Sequence, residues 1–139
     1  MNKEEGLLRE ILEEHASNPC GQEELSDTSH SGEWKSRKTG NLCSVQIKVH
    51  NDQILRMVAR VEGSALAKAC ASIMCSELEG KCIESARTTI QIVEKWIEYG
   101  EAPENWPGEL VVYHSLVQFP ERVDCATLCW RSLKNALED

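Results

Sequence analysis

The residues with the most chemistry in this sequence are its seven cysteines, an odd number spread over the whole chain. Thiolates are soft ligands that favour zinc, copper(I) and iron–sulfur clusters, and they are also strong nucleophiles. The spacing predicts no local metal motif, because the sequence has no CxxC, HExxH or GxGxxG stretch. Any shared site must therefore be built from cysteines that lie far apart in the sequence.

Two of these cysteines lie where a folded chain would hold a thiol in place and leave it reachable. Cys43 lies between a polar segment and the first predicted strand, and Cys125 lies near the start of the last predicted helix. The free N–H groups and the macrodipole at a helix N-terminus stabilise a thiolate. These two residues are the candidate ligands or nucleophiles, and whether they meet in space stays open at this point.

The other cysteines are expected to have no role in chemistry, since free cysteine is among the most often buried residue types. This group comprises Cys20, Cys70, Cys75, Cys82 and Cys129. Cys20 falls in a turn and is expected to be exposed. Cys70 is expected to point away from any site, and Cys129, one helical turn after Cys125, is predicted to pack in the core beside Trp130.

The N-terminal half of the chain is predicted to contain one helix and one β-hairpin. An amphipathic helix is predicted over residues 4–16, and its inward face is formed by Leu7, Leu8, Ile11, Leu12 and His15. A long mobile loop is predicted over the polar residues 20–41. Alternating apolar residues over 45–61, with a turn at Asn51 and Asp52, predict an antiparallel hairpin. The side chains of the second strand that are expected to face the core are Leu55, Met57, Ala59 and Val61.

The C-terminal half is predicted to be helical. The apolar stretch SALAKACASIMCSEL predicts a buried central helix with Ser64 as its N-cap and Gly80 at its C-terminal end. Further helices are predicted over residues 84–99 and 121–137, and LVVYHSLVQFP between them is ambiguous between helix and strand. This order predicts a single α+β domain over residues 1–139, in which several helices pack on a small antiparallel sheet.

Composition and charge exclude several classes of function. The chain has 15 Lys and Arg against 23 Asp and Glu, a formal net charge of −8. A nucleic acid or an anionic membrane needs a concentrated basic face, so neither is an expected partner. MNKEEGLLREILEEH has no long apolar run, so we expect neither a signal peptide nor a membrane anchor. A cytoplasmic location is therefore expected, where stable disulfides are rare.

Several stretches, taken in order, resemble the iron–sulfur scaffold family of IscU, SufU and the N-terminal domain of NifU. His15, Asn18 and Pro19 match the His-x-x-Asn-Pro pattern that ends the family's first helix, and the Ala- and Ser-rich residues 69–81 match its middle helix. The pattern that starts the last helix in the SufU branch is matched by Arg122, Cys125, Ala126, Leu128 and Trp130. The wide gap before this last pattern also favours the SufU branch.

The resemblance implies a metal or cluster site, with departures from the family pattern. The family holds metal with three cysteines and an Asp, and the first Cys and the Asp lie in a Cys-Gly-Asp triplet at the start of the hairpin. Here Cys43 keeps the thiol, and Val45 stands where the Asp would be. The second cysteine is replaced by Ser64, or by Glu62 if the alignment shifts, and the third is retained as Cys125.

The ligand set implied by the resemblance is Cys43, Ser64, Asp124 and Cys125. Asp124 stands where the IscU branch has a His. The implied cofactor is an iron–sulfur cluster, zinc or iron, held mainly by the thiols of Cys43 and Cys125. Two thiolates are half of the four ligands that such sites normally use.

The function implied by the resemblance is iron–sulfur cluster assembly. The first hypothesis is a scaffold or carrier that accepts sulfur from a cysteine desulfurase and serves iron–sulfur acceptor proteins. The second is a divergent interaction or regulatory module without a cluster, and the third is a sulfur-transfer protein in which Cys125 accepts a persulfide. No enzyme activity is expected beyond sulfur transfer, because no Cys-His-Asn arrangement typical of covalent hydrolases is visible. The oligomeric state stays open.

Overall fold

The chain folds into a three-stranded antiparallel sheet with helices packed on it, and this confirms the predicted α+β class. The computed structural model describes residues 3–116 and 119–138. Their elements in chain order are α1 (Lys3–Ser17), β1 (His30–Lys35), β2 (Leu42–His50), β3 (Gln53–Glu62), α2 (Ala65–Leu78), α3 (Ile83–Tyr99), a 3₁₀ helix (Gly108–Leu116) and α4 (Pro120–Leu137). Within these described ranges, no helix combines the length and the apolar character needed to cross a membrane.

The first strand lies inside the segment that the sequence predicts to be a loop. β1 pairs antiparallel with β2, and β2 pairs with β3, so the sheet order is β1-β2-β3. The loop prediction for residues 20–41 is wrong here because HSGEWK has no apolar alternation. The strand packs through its backbone instead, since a Cβ on Gly32 would lie 2.8 Å from the Ser132 carbonyl oxygen of α4. Glycine therefore permits this close approach of strand and helix.

The predicted hairpin forms, but its second strand buries a different residue near its start from the one predicted. Met57 and Ala59 are buried as predicted, whereas Leu55 is 45% exposed and Ile54 is fully buried. The β2–β3 register shifts between Lys48 and Val49. An irregularity of this kind reverses the facing of the side chains beyond it, which the alternation in the sequence does not reveal.

The helix α2 is the centre of the domain, as its apolar sequence predicts. Ser64 is its N-cap, and the Ser64 hydroxyl accepts from the Ala67 N–H at 3.1 Å. Burial extends nearly all round the helix, at Ala67, Ala69, Cys70, Ala71, Ser72, Ile73, Met74, Cys75 and Leu78. Gly80 follows the helix with φ 89°, a conformation that suits a residue without a Cβ.

The stretch that was ambiguous between helix and strand is helical. It forms most of the 3₁₀ helix, and its later residues Val117 and Gln118 lie outside the described residues. Tyr113 anchors the 3₁₀ helix: its ring stacks on Trp96 of α3 and meets Trp106 edge-on, with centroid separations of 5.3 Å and 5.4 Å. The Tyr113 hydroxyl donates to the Ala126 carbonyl oxygen of α4 at 2.7 Å. Aromatic packing thus fixes this helix against α3 and α4.

His15 connects α1 to the centre of the domain. Its Nδ1 lies 2.7 Å from the Ser72 hydroxyl of α2, and its Nε2 lies 2.9 Å from a Glu109 carboxylate oxygen in the 3₁₀ helix. His15 is 8% exposed, and Leu8 on the same helix is 4% exposed. Leu7, which the amphipathic pattern also placed inward, is 57% exposed. The first helix is therefore held by a narrower apolar stripe than predicted, together with a buried polar connection.

Candidate functional site

Cys125 lies in the second turn of α4 and is half-buried. The helix begins at Pro120, with Phe119 as its N-cap, so the free N–H groups of the first turn belong to residues before Cys125. The expectation that the free N–H groups of the helix N-terminus stabilise this sulfur is therefore wrong, because Cys125 lies one turn too far along the helix. The group that contacts the sulfur comes from a turn of the sheet.

The connection between β1 and β2, from Ser36 to Asn41, is called the site turn. The Ser36 N–H donates to the Asn41 carbonyl oxygen at 2.8 Å, and the Ser36 hydroxyl accepts from the Thr39 N–H at 3.2 Å. The Asp124 carboxylate of α4 accepts from the hydroxyls of Ser36 and Thr39, at 2.6 Å and 3.2 Å. Since Asp124 directly precedes Cys125, these bonds hold the site turn beside the thiol.

Asn41 joins the site turn to both Cys125 and α2. Its Nδ2 donates to the Cys125 sulfur at 3.3 Å, and its Oδ1 accepts from the Ser64 N–H at 3.0 Å. Asn41 is only 6% exposed. Gly63 has φ 152°, and a Cβ on it would overlap the Asn41 amide oxygen. The glycine therefore leaves room for the amide that orients the sulfur.

Cys43 lies on the core face of β2. It is fully buried, as are Val45 and Ile47 on the same face. Burial raises the pKa of the Cys43 thiol to about 11, and a hydrogen bond with Ser132 offsets part of this rise. A thiol in this environment stays protonated and inaccessible at neutral pH, so the expectation that Cys43 is positioned but reachable is wrong.

Cys43 belongs to a group of buried thiols, here called the core thiols, that also contains Cys70, Cys75 and Cys129. Burial raises the pKa of each of these three thiols, and nearby thiolate charges raise it further. The predictions that Cys70, Cys75 and Cys129 are core residues are confirmed by their exposures of 0%, 1% and 1%. The charge of Cys125 also contributes to the raised pKa of Cys70.

Cys20 and Cys82 lie outside the core. Cys20 is exposed, as predicted. Cys82 is half-buried at the N-cap of α3, where hydrogen bonds from Ser85 and the Glu84 backbone lower the pKa of its thiol. It pairs with Gln53 at the start of β3, whereas the site adjoins the end of that strand. A strand of ten residues spans about 30 Å, so Cys82 is remote from Cys125.

The structure places Ser64 beside the site and Glu62 away from it. Ser64 contributes its N–H to Asn41, while its hydroxyl is engaged in capping α2. Glu62 is exposed at the end of β3 and lines a cavity of about 610 Å³ on the open face of the sheet, together with Arg60 and Leu42. Of the four predicted ligands, Ser64, Asp124 and Cys125 surround the site turn, and Cys43 lies in the core.

Three residues of the site were not singled out from the sequence: Ser36, Thr39 and Asn41. The signal for two of them lies in the triplet Thr39-Gly40-Asn41, which directly precedes β2 and has glycine at its centre with φ 77°. The triplet thus resembles the family's Cys-Gly-Asp pattern in its central glycine and its place at the start of the hairpin, with Thr and Asn as the flanking residues.

The donor set around Cys125 does not fit a zinc ion or an iron–sulfur cluster. Such sites are built from three or four thiolate, imidazole or carboxylate ligands. Here one thiol is joined by an amide, a capping hydroxyl and a carboxylate that already accepts two hydrogen bonds. Over the described residues, no three His, Cys, Asp or Glu side chains are grouped so that they could hold a metal ion.

The sequence and the fold are both similar to those of known proteins. Residues 8–139 match the family described as NifU-like N terminal domain. The chain is 26% identical over 132 residues to the zinc-dependent sulfurtransferase SufU of Bacillus subtilis, covering 94% of this chain and 89% of that protein. It is 24% identical over 139 residues to the iron–sulfur cluster assembly scaffold protein IscU of Streptococcus pyogenes, covering 99% and 87%.

A solved structure confirms the fold. The crystal structure of a protein assigned as a SUF-system iron–sulfur scaffold from Fervidobacterium islandicum matches with a TM-score of 0.83. The match covers 93% of this chain and 95% of that one, at 21% sequence identity. The sheet and helices described above are therefore an architecture that this group of proteins shares.

Proposed function

Because this chain belongs to the NifU-like N terminal domain family, we propose that it takes part in iron–sulfur cluster assembly as a sulfur-accepting protein. Cys125 is the proposed acceptor. The proposed donor is a cysteine desulfurase, and the proposed recipients of the sulfur are iron–sulfur acceptor proteins. Among relatives, one is named a sulfurtransferase and another a scaffold, and the site of this chain is better suited to the first role.

The observation that carries the proposal is the hydrogen bond from the Asn41 amide to the Cys125 sulfur at 3.3 Å. Asn41 is buried and fixed by the Ser64 N–H, so the sulfur is oriented by a rigid group. The thiol itself stays half-exposed. An oriented, reachable sulfur that is not engaged with a second thiol is what a nucleophile needs in order to take a sulfur atom from a partner.

The proposed reaction is a thiolate exchange. The Cys125 thiolate attacks the terminal sulfur of the donor's cysteine persulfide, a new S–S bond forms, and the old S–S bond breaks. The donor leaves as a thiolate, and Cys125 carries the persulfide, so atoms and electrons balance without a further oxidant or reductant. In this reaction the chain is a sulfur carrier, and it holds the persulfide on Cys125 until a recipient takes the sulfur. The predicted zinc or iron–sulfur cofactor has no step in it.

Mass spectrometry of the intact protein tests this proposal. The chain is incubated with a cysteine desulfurase and cysteine under anaerobic conditions, and a gain of one sulfur atom on Cys125 is expected. Cys125→Ser should not gain it. Cys82→Ser is the matched control because it removes a different half-buried thiol and should behave as wild type. Equal sulfur uptake by wild type and Cys125→Ser would overturn the proposal.

A second measurement separates sulfur transfer from a scaffold role. Anaerobic reconstitution with iron and sulfide is followed by absorption in the visible range, and we expect no cluster, because the site offers one thiol. A stable cluster that is lost in Cys125→Ser would favour the scaffold hypothesis. Absence of both sulfur uptake and a cluster would favour the divergent interaction module.

A further inference from the structure

The exposed Cys20, which follows α1, lies directly against the central helix α2. Its backbone N–H donates to the Ser72 hydroxyl at 2.8 Å. Ser72 is buried, and its hydroxyl also contacts the His15 ring. The backbone at Cys20 is therefore held against a buried polar group of α2. Cys75 follows Ser72 by nearly one helical turn and therefore lies on the same face of α2.

Gly21 brings the chain into contact with the sulfur of Cys75. Gly21 has φ 65°, and a Cβ on it would lie 2.6 Å from the Cys75 sulfur and 3.1 Å from its Cβ. The Gly21 carbonyl oxygen also accepts from the Ala59 N–H of β3 at 3.0 Å. Because Gly21 and Cys20 are adjacent in the chain, these contacts bring the backbone next to the exposed Cys20 against the buried sulfur of Cys75.

Both thiols line one open cavity of about 750 Å³. Its wall is polar and includes Glu23, Arg56 and Glu79. Cys20 is on the solvent side, and Cys75 forms part of the floor with 1% exposure. A small polar molecule that enters this cavity meets Cys20 first and has Cys75 next to it.

We propose that Cys20 and Cys75 are a redox-sensitive pair that forms a reversible disulfide when the protein meets a peroxide. The Cys20 thiolate attacks the peroxide, the O–O bond breaks, and Cys20 becomes a sulfenic acid while the leaving oxygen takes a proton. The Cys75 sulfur then attacks the Cys20 sulfur. The S–O bond breaks, the proton of Cys75 goes to the leaving hydroxide, and a disulfide and water result.

The two thiols have different environments that suit these two steps. Cys20 is exposed and meets the oxidant. Burial raises the pKa of the Cys75 thiol, and the neighbouring charges of Cys43, Cys20 and Glu79 raise it further. Cys75 therefore stays protonated and protected from direct oxidation, and it gives up its proton to the hydroxide that leaves Cys20 as the disulfide forms.

The expected consequence of the disulfide is a fixed connection between α2 and the segment that joins α1 to β1. Cys20 and Cys75 are 55 residues apart in the sequence, so the bond closes a large loop and restricts the unfolded chain. The oxidised protein should therefore unfold at a higher temperature than the reduced one. This pair is separate from Cys125 and does not depend on the function proposed for that residue.

Peptide mapping of the full chain after treatment with hydrogen peroxide tests the pair. Mapping under non-reducing conditions should find Cys20 and Cys75 in one linked peptide, and dithiothreitol should release it. Cys20→Ser should lose both the link and the rise in unfolding temperature. Because Cys20 is exposed, this variant is expected to fold normally, and Cys82→Ser is the control that should keep the link.

Two results would overturn the proposal. One is oxidation of Cys20 to the sulfinic or sulfonic acid with Cys75 still a free thiol. The other is a disulfide between Cys75 and Cys43, which also contributes to the raised pKa of Cys75, in both wild type and Cys20→Ser. In that case the exposed thiol would have no part in the reaction.

Discussion

The core thiols and the site thiol share one chemical group and differ in everything that surrounds it. Cys43 and Cys129 lie in the hydrophobic core and are at most 1% exposed. Cys125 is half-exposed and meets the amide of Asn41, with the Asp124 carboxylate holding the adjoining turn. Burial makes a thiol a small apolar residue, whereas an oriented and reachable thiol can react. The number of cysteines in this chain is therefore a poor guide to its reactive groups, and the surroundings of each thiol are a better one.

The largest effect should come from placing a carboxylate in each of the two regions. Cys129→Asp buries a charge without a partner and should lower the free energy of unfolding by more than about 4 kcal/mol. Cys125→Asp should change it by less than about 1 kcal/mol, because the carboxylate reaches water. Urea denaturation followed by circular dichroism measures both, with Cys129→Ala as the control for lost volume. Similar losses in the two Asp variants would remove the distinction between the regions.

A smaller effect is expected from crowding the amide that orients Cys125. Gly63→Ala places a Cβ against Asn41 and should lower the free energy of unfolding by about 1–3 kcal/mol. It should also slow the proposed uptake of sulfur by Cys125. The matched control is Gly80→Ala, where φ is 89° and no atom lies within 4 Å of the added Cβ. Uptake at the wild-type rate in Gly63→Ala would mean that the position of Asn41 does not matter to the thiol.

The smallest effect concerns alkaline pH and the core thiols. The pKa of Cys43 is about 11 in the folded protein, against an ordinary value of 9.0. Between these values the unfolded chain releases a proton that the folded chain keeps, so stability is intact below pH 9 and falls as the pH rises. From about pH 8 to about pH 10, Cys43→Ala should lose about 1 kcal/mol less than wild type.

The control for this pH dependence is Val45→Ala, which shortens a neighbouring side chain on the same face of β2 and removes no titratable group. Its free energy of unfolding should fall with pH as steeply as that of wild type. Parallel curves for Cys43→Ala and wild type would show that Cys43 ionises as freely in the folded chain as in the unfolded one. The measurement is a pair of urea titrations at each pH.

The sequence predicts correctly those elements whose formation depends on neighbouring residues along the chain. The all-round apolar sequence of α2 and its Ser64 cap are examples. The sequence does not predict β1, because Gly32 packs on α4 through its backbone and no pattern of side chains indicates such a contact. The inward orientation of Ile54 in place of Leu55 depends on the register shift between β2 and β3, where Leu55 is skipped in the pairing, and such a shift is a property of two strands together.

The candidate site was only partly predictable. The family resemblance points to Cys125 and Ser64, and it also points to Asp124, which adjoins the retained cysteine. The residue type of Cys43 favours a ligand, whereas its alternation with Val45 and Ile47 assigns it to the core face. The sequence does not single out Asn41, because an amide is neither a metal ligand of this family nor a nucleophile. Its role depends on two hydrogen bonds to residues distant in the sequence.

The packing around Tyr113 gives the protein an optical signal of its own. Trp96 and Trp106 lie 5.3 Å apart and both adjoin Tyr113, and the Trp130 indole N–H donates to the Tyr113 hydroxyl at 2.8 Å. Three of the chain's four tryptophans thus surround one phenol that bonds to the carbonyl of Ala126, the residue after Cys125. Tryptophan emission and near-ultraviolet dichroism will therefore respond when α4 shifts at this point, and a change at the thiol can be followed without an added dye.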